Sequence, residues 1–311
     1  MSFKNESYIT EQYEDDINLL DLAKIIISAK YILISITAVF SIIAVIYSLS
    51  LPNIYQSKAL LVSNDANNNT TNFVKNSLAN FAGIRIPTEN FDSNPMKAIK
   101  KLNTLSFFET NIMPNIFLPD LMAYKSWNSK TNTSSYDDEK YDQSSNTWVR
   151  EYKHPKTLIP SAQESFVFFK SKHVSISEDK LTGFVTVRVK HQNPNVAMQW
   201  TKLMIDEINN FYREKDRNEA QRAVDYLNAQ ISETKSTEIK QLIAALLQQE
   251  TQKLTLVEAN EYYVYEYIDP PAVMERKIEP RRSLICIVGA FLGMIIGIIF
   301  ILIRHHRSKE S

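Results

Sequence analysis

Five histidines, one cysteine and a few acidic pairs are the residues of this chain that could do chemistry. His154, His173, His191, His305 and His306 show no paired metal-ligand spacing, so each is expected to be a solvated surface histidine. Asp137, Asp138 and Glu139 form a charge run of the kind that solvates a loop. Asp206 and Glu207 are neighbours on a helical segment, where adjacent side chains point apart and make a poor acid–base pair. Neither Gly83 nor Gly183 leads into a Gly-Lys-Ser/Thr element, which excludes a fused phosphate-binding loop. No serine sits in a Gly-x-Ser-x-Gly elbow. Cys286 is the only cysteine, so no intrachain disulfide or thiol-based metal site can form. The expectation is a non-enzyme that needs neither cofactor nor metal.

One spacing does carry meaning. Gly289, Gly293 and Gly297 repeat every four residues and hold three of the chain's five glycines. On a helix they share one face, where another helix can approach closely. The first apolar span and a helix of another chain are the possible partners, and the other chain is the favoured expectation.

The stripe lies in the second of two uncharged apolar spans. Ser283 to Ile303 runs between Arg282 and Arg304, and Tyr31 to Leu51 follows Lys30. Each holds about 21 residues, enough to cross a hydrocarbon core of about 30 Å. The first thirty residues carry Glu6, Glu11, Glu14, Asp15, Asp16 and Asp21, unlike the basic start of a signal peptide, so the first span reads as an uncleaved anchor. Lys24 and Lys30 before it, and Arg304, Arg307 and Lys309 after the second span, place residues 1–30 and 304–311 on the cytoplasmic side. Residues 52–282 then form an external domain. Balanced charge, 35 basic against 35 acidic residues, points away from a nucleic-acid partner.

Between the spans the pattern alternates strand and helix. Asp16 to Lys30 is expected to form a short amphipathic helix, with Asp16 as its cap. Strands are expected at Ile54–Ser63, from Val185 to Lys190, and at Tyr262–Ile268, assembling one sheet from distant parts of the chain. Asn64–Asn72 reads as a loop, Pro95–Met113 as one helix, and residues 124–163 as a surface loop anchored by Trp127 and Trp148. Neither Gly nor Pro occurs between Asn195 and Asp269. Asn193–Pro194 opens a helix to about Ile231, on the order of 55 Å long. Ser232 to Thr237 weakens the pattern before it resumes, so a long helical arm or hairpin over about 194–260 is expected. Leu203, Ala223, Val224, Leu227, Ile231, Leu242 and Leu246 form its apolar stripe, available for packing or self-association.

Several short motifs resemble the Wzz family of chain-length determinant proteins. They are Ile17-Asn18-Leu19-Leu20-Asp21-Leu22 before the first span and Ile54-Tyr55-Gln56-Ser57-Lys58-Ala59 after it. His191-Gln192-Asn193-Pro194-Asn195-Val196-Ala197 follows Thr182-Gly183. Tyr267-Ile268-Asp269-Pro270-Pro271 and Pro280-Arg281-Arg282 lead into the second span. Pro271 and Pro280 fit the family's proline-rich re-entry into the membrane, whereas Met274 stands where another proline is usual. The resemblance implies an α+β protein of the bacterial inner membrane, with two spans flanking a periplasmic α/β base and a long helical arm. It also implies a homo-oligomer that acts with a membrane polymerase on a lipid-linked glycan, setting the length of O-antigen or a related polysaccharide without catalysing bond formation. The competing readings are a co-polymerase working with a separate tyrosine kinase, a two-span envelope sensor and an envelope hydrolase.

Overall fold

A computed structural model describes residues 25–64 and 94–309. Most of the amphipathic helix expected at 16–30 lies outside those residues, as does nearly all of the loop expected at 64–72. Chain order is α1 (Lys30–Ser50), β1 (Tyr55–Ser63), α2 (Asn94–Leu102), α3 (Leu105–Phe107), α4 (Leu118–Met122), β2 (Tyr124–Asn128), β3 (Thr133–Tyr136), β4 (Tyr141–Asp142) and β5 (Thr147–Trp148). Then come α5 (Ala162–Phe168), β6 (Val174–Glu178), β7 (Val185–His191), α6 (Pro194–Glu233), α7 (Thr237–Ala259), β8 (Tyr265–Asp269) and α8 (Arg282–Lys309). The chain divides into two compact units. One joins Met1–Pro52 to Glu279–Ser311, and the other is Asn53–Ile278.

In the first unit α1 and α8 pack along each other, and both are long and apolar enough to cross a membrane. In the second unit a four-stranded antiparallel sheet has the order β6-β7-β1-β8. Register sets Ala59 opposite Val187 and Leu61 opposite Val185, so alternate residues of both central strands enter one core. Val196, Trp200, Met204, Ile205, Ile208 and Tyr212 of α6 bury against that face at helical spacing.

The helix expected over Pro95–Met113 is broken. α2 ends at Leu102, Thr104 caps α3 by accepting the Phe107 N–H, and a π turn at Phe108–Ile112 runs into a 3-10 turn at Met113–Asn115. The extra residue in the wide turn lets Phe107, Phe108 and Ile112 all reach the core. Residues 124–163, expected as a loop, contain two hairpins, β2–β3 and β4–β5. Asn132 and Asn146 take positive φ in the turns, a conformation asparagine tolerates. Period-2 hydrophobicity is absent there, because the strands are short and held by hydroxyl and aromatic pairs, such as Tyr124 with Ser134.

The third expected strand begins at Tyr265, three residues later than the aromatic run suggests. The amide side chain of Asn209 on α6 explains the delay. Its Oδ1 accepts from the N–H of Val264 (2.8 Å) and Tyr265 (2.9 Å), and its Nδ2 donates to the Tyr265 carbonyl at 3.0 Å. These bonds satisfy a buried stretch of main chain where it leaves regular pairing.

Candidate functional site

The arm grows from the junction of β7 and α6. Asn193 caps α6, its Oδ1 accepting from the Asn195 N–H at 2.9 Å, and Pro194 fills the first turn, where no N–H is needed. α6 has 40 residues, about 60 Å at 1.5 Å per residue. It stops at Thr234, and Ser236 caps α7 by accepting from the Ile239 N–H. α7 returns antiparallel along α6, and Arg217 Nε donates to Glu258 Oε1 at 2.9 Å between them. Ala223, Val224, Leu227 and Ile231 are half-buried and continue the side of α6 on which Ala220 is fully buried. Leu203 is half-buried against the core of the base, well below that stretch. On α7, Ile243 is buried and Leu246 half-buried, while Leu242 is exposed with Ile239 and Tyr226. The expected stripe therefore serves two intrachain contacts in succession, base then hairpin, and leaves Leu242 outside both.

A second cluster stands at the foot of α6, among residues expected to be plain surface groups. His191 is 2% exposed and His173 half-buried. Their rings lie 5.5 Å apart, and both meet the Trp200 ring edge-on, at 5.1 and 5.4 Å. Tyr124 packs on His191 at 4.4 Å. Both histidines are committed to main chain. His173 Nδ1 donates to the Lys190 carbonyl at 2.7 Å. His191 Nε2 donates to the Asp120 carbonyl (3.0 Å), and its Nδ1 accepts the Asn193 N–H (3.0 Å). Burial pushes both imidazoles down, His191 to about 4, so the rings are neutral near pH 7. Asp120 is raised by its own burial against the hydrogen bond from Tyr136. Sequence reading missed this pair, although buried Val185, Val187 and Val189 alternate directly into His191.

From Trp200 the aromatic contacts continue to Phe169 and Phe108 on one side, and through Tyr124, Tyr136 and Tyr141 to Trp148 on the other. Trp127 meets Tyr55 of β1 edge-on at 5.6 Å. Trp127 therefore ties the first hairpin to the sheet, whereas Trp148 packs on Tyr141 of its own hairpin and it is Tyr141 that reaches out to Tyr136 and Phe117.

The glycine stripe is in the first unit and faces α1 of the same chain. A β-carbon on Gly293 would lie 2.7 Å from Phe40 Cβ and 3.1 Å from Thr37 Cα. One on Gly297 would lie 2.7 Å from Leu33 Cδ1, and one on Gly289 would overlap Ala44 Cβ. A neighbouring subunit or a polymerase was the favoured partner, but α1 fills that face. Thr37 and Ala44 are the small residues of α1 that lie opposite the stripe. Between the units' ends, residues 270–281 run without regular helix, with Pro271 and Pro280 half-buried. Within the second unit this stretch lies beside the start of β1. Ser57 Oγ donates to the Ala272 carbonyl at 3.0 Å, and the Ile278 N–H donates to the Ile54 carbonyl at 2.8 Å.

Residues 15–102 match the family model described as Wzz, chain length determinant protein. No curated protein matches the chain. Among solved structures, one described as a full-length bacterial polysaccharide co-polymerase is similar at 14% identity, covering 94% of this chain and 99% of its own, with a TM-score of 0.40. A fragment of WzzB, a polysaccharide co-polymerase from Salmonella Typhimurium, is similar at 13% identity over 73% of this chain and 100% of its own, with a TM-score of 0.28. The matched segment holds the first span, the central strand β1 and helix α2, and over that segment this chain is similar to the Wzz chain length determinant proteins.

Proposed function

We propose that this protein regulates the length of O-antigen or a related surface polysaccharide as a non-enzymatic scaffold in the bacterial inner membrane. The family match over residues 15–102 carries the reading, because it spans both a membrane helix and the strand around which the sheet is built. In this reading both termini are cytoplasmic, as the basic residues at Lys24, Lys30, Arg304, Arg307 and Lys309 favour, and Asn53–Ile278 is periplasmic. Copies of the chain associate as a homo-oligomer and hold a membrane polymerase close to its lipid-linked glycan. Many weak contacts along such an assembly raise the effective concentration of the growing end without a deep pocket. The two imidazole groups nearest to a catalytic constellation are packed on aromatic rings and bonded to main-chain carbonyls, which suits support more than chemistry.

The test is a gel ladder of surface polysaccharide from cells with and without this chain. A clustered length distribution that becomes random on deletion, and returns on complementation, is the expected result. An unchanged ladder refutes the proposal, and complete loss of polymer assigns the chain to assembly or export.

A further inference from the structure

We propose that His191 is an acid-operated latch at the root of the helical arm: its neutral ring ties β7, α4 and the cap of α6 together, and its protonation releases the first turn of α6.

The geometry leaves the ring no second way to bond. A main-chain carbonyl can only accept, so Nε2 must carry the hydrogen that meets the Asp120 carbonyl. A main-chain N–H can only donate, so Nδ1 must be bare to receive the Asn193 N–H. One tautomer of the neutral ring satisfies both. A proton added at Nδ1 sets two N–H groups against each other at 3.0 Å, with His191 only 2% exposed. Asn193, the residue displaced, is the cap of α6. The same ring holds α4 through Asp120, so one event loosens the contacts of the arm's first turn on two sides.

The surroundings do not offset the charge. From the turn before β6, His173 faces the ring at 5.5 Å, and a proton on either imidazole opposes one on the other. From β2 and β1 come Tyr124, in ring contact, and Tyr55, the register partner of His191. From α4 comes Asp120, whose carboxylate Oδ1 accepts from Tyr136 of β3 while only its carbonyl meets the ring. Lys190, next to His191 on β7, is a further positive charge, with its carbonyl bonded to His173. α6 contributes Trp200 and Asn193, neither of which titrates.

The sign follows directly. An imidazole held below its ordinary 6.5 in the folded chain, here about 4, binds fewer protons folded than unfolded between those values. The latch is closed above pH 6.5, weakens steadily as pH falls, and its contribution is lost completely only below about pH 4. This inference does not depend on the polysaccharide reading, since it concerns the fold alone.

The experiment uses the full chain in detergent micelles. Deuterium exchange at the imidazole C2–H positions, followed by mass spectrometry, gives the titration midpoint of His191 in the unaltered protein. A midpoint below 5.5 is expected, and one at or above 6.5 overturns the proposal. Amide exchange is measured in parallel from pH 7.5 to 4.5 and corrected for intrinsic rates. Residues 193–200 should lose at least tenfold protection at the acid end, while residues 205–212 lose less than threefold. His191→Gln keeps a donor for Asp120 but cannot titrate, and in it the acid loss should vanish. Equal acid loss in His191→Gln, or a loss spread evenly along α6 in the unaltered chain, overturns the latch. If His191→Gln does not fold, the two measurements on the unaltered chain still decide.

Discussion

Replacing Asn209 by alanine should cost the base of this protein about 3 kcal/mol, because three main-chain groups lose their partner at once. The Val264 and Tyr265 N–H groups both donate to Asn209 Oδ1, and the Tyr265 carbonyl accepts from Nδ2. Val264 and Tyr265 are 1% and 0% exposed, so water cannot replace the side chain without a local opening. A buried N–H left without an acceptor costs about 1–3 kcal/mol, and a carbonyl, with two lone pairs, loses less. Two N–H groups at the lower middle of that range, with a little for the carbonyl, give the figure. Urea denaturation of the purified chain in micelles, followed by tryptophan fluorescence, reads it through Trp200 in the core. Asn209→Asp sharpens the test. It keeps the acceptor but turns a second oxygen, charged at neutral pH, toward the Tyr265 carbonyl. Burial raises the pKa of such a carboxyl, so this variant should be poor at pH 7 and regain stability as pH falls through that raised value. A loss below about 1 kcal/mol for Asn209→Ala, or no acid recovery for Asn209→Asp, would refute the claim that this amide clamps β8 to α6.

Three further outcomes are expected. Gly293→Leu should disturb the glycan length distribution while the protein still inserts, since its side chain must displace Phe40 and the Thr37 backbone; a normal ladder at normal expression would count against the stripe. Arg150→Lys should raise the protease sensitivity of residues 150–160 about tenfold, which is roughly 1.4 kcal/mol of local opening. Lysine cannot reproduce the two 2.8 Å bonds to Glu164 together with those to the Thr157 and Leu158 carbonyls. Ser236→Ala should cost about 1 kcal/mol at the tip of the arm by removing the α7 cap, seen as faster amide exchange at 237–240 with the base unchanged.

What was legible in the sequence was whatever repeated with a fixed period over many residues. Alternating Val185, Val187 and Val189 gave β7, and the long run without Gly or Pro after Asn193–Pro194 gave α6. The break at Thr234–Ser236 showed as a weakened stripe, which left an extended arm and a hairpin both open. Features made by one side chain reaching across the fold were illegible. Asn209 looks like any polar helix residue, yet it decides where β8 starts. His191 lacked metal-ligand spacing and was read as surface, because that test asks about neighbours in sequence and its partners come from α4 and the next turn. The glycine stripe signalled a close approach but not which helix approaches, since the small surfaces opposite it, at Thr37 and Ala44, lie about 250 residues earlier.

The strand order β6-β7-β1-β8 has a consequence for how the molecule is made. β1 emerges first, and its two neighbours arrive in separate instalments. β7 follows after more than a hundred residues, and β8 only after roughly 200, once the whole α6–α7 hairpin has been synthesised. During that interval one edge of β1 presents unpaired main-chain donors and acceptors beside apolar Leu61 and Val62. A nascent chain in this condition can recruit the edge of another nascent chain in place of its own β8. Truncations that end within α7 should therefore aggregate or exchange strands, whereas those extending past Asp269 should not.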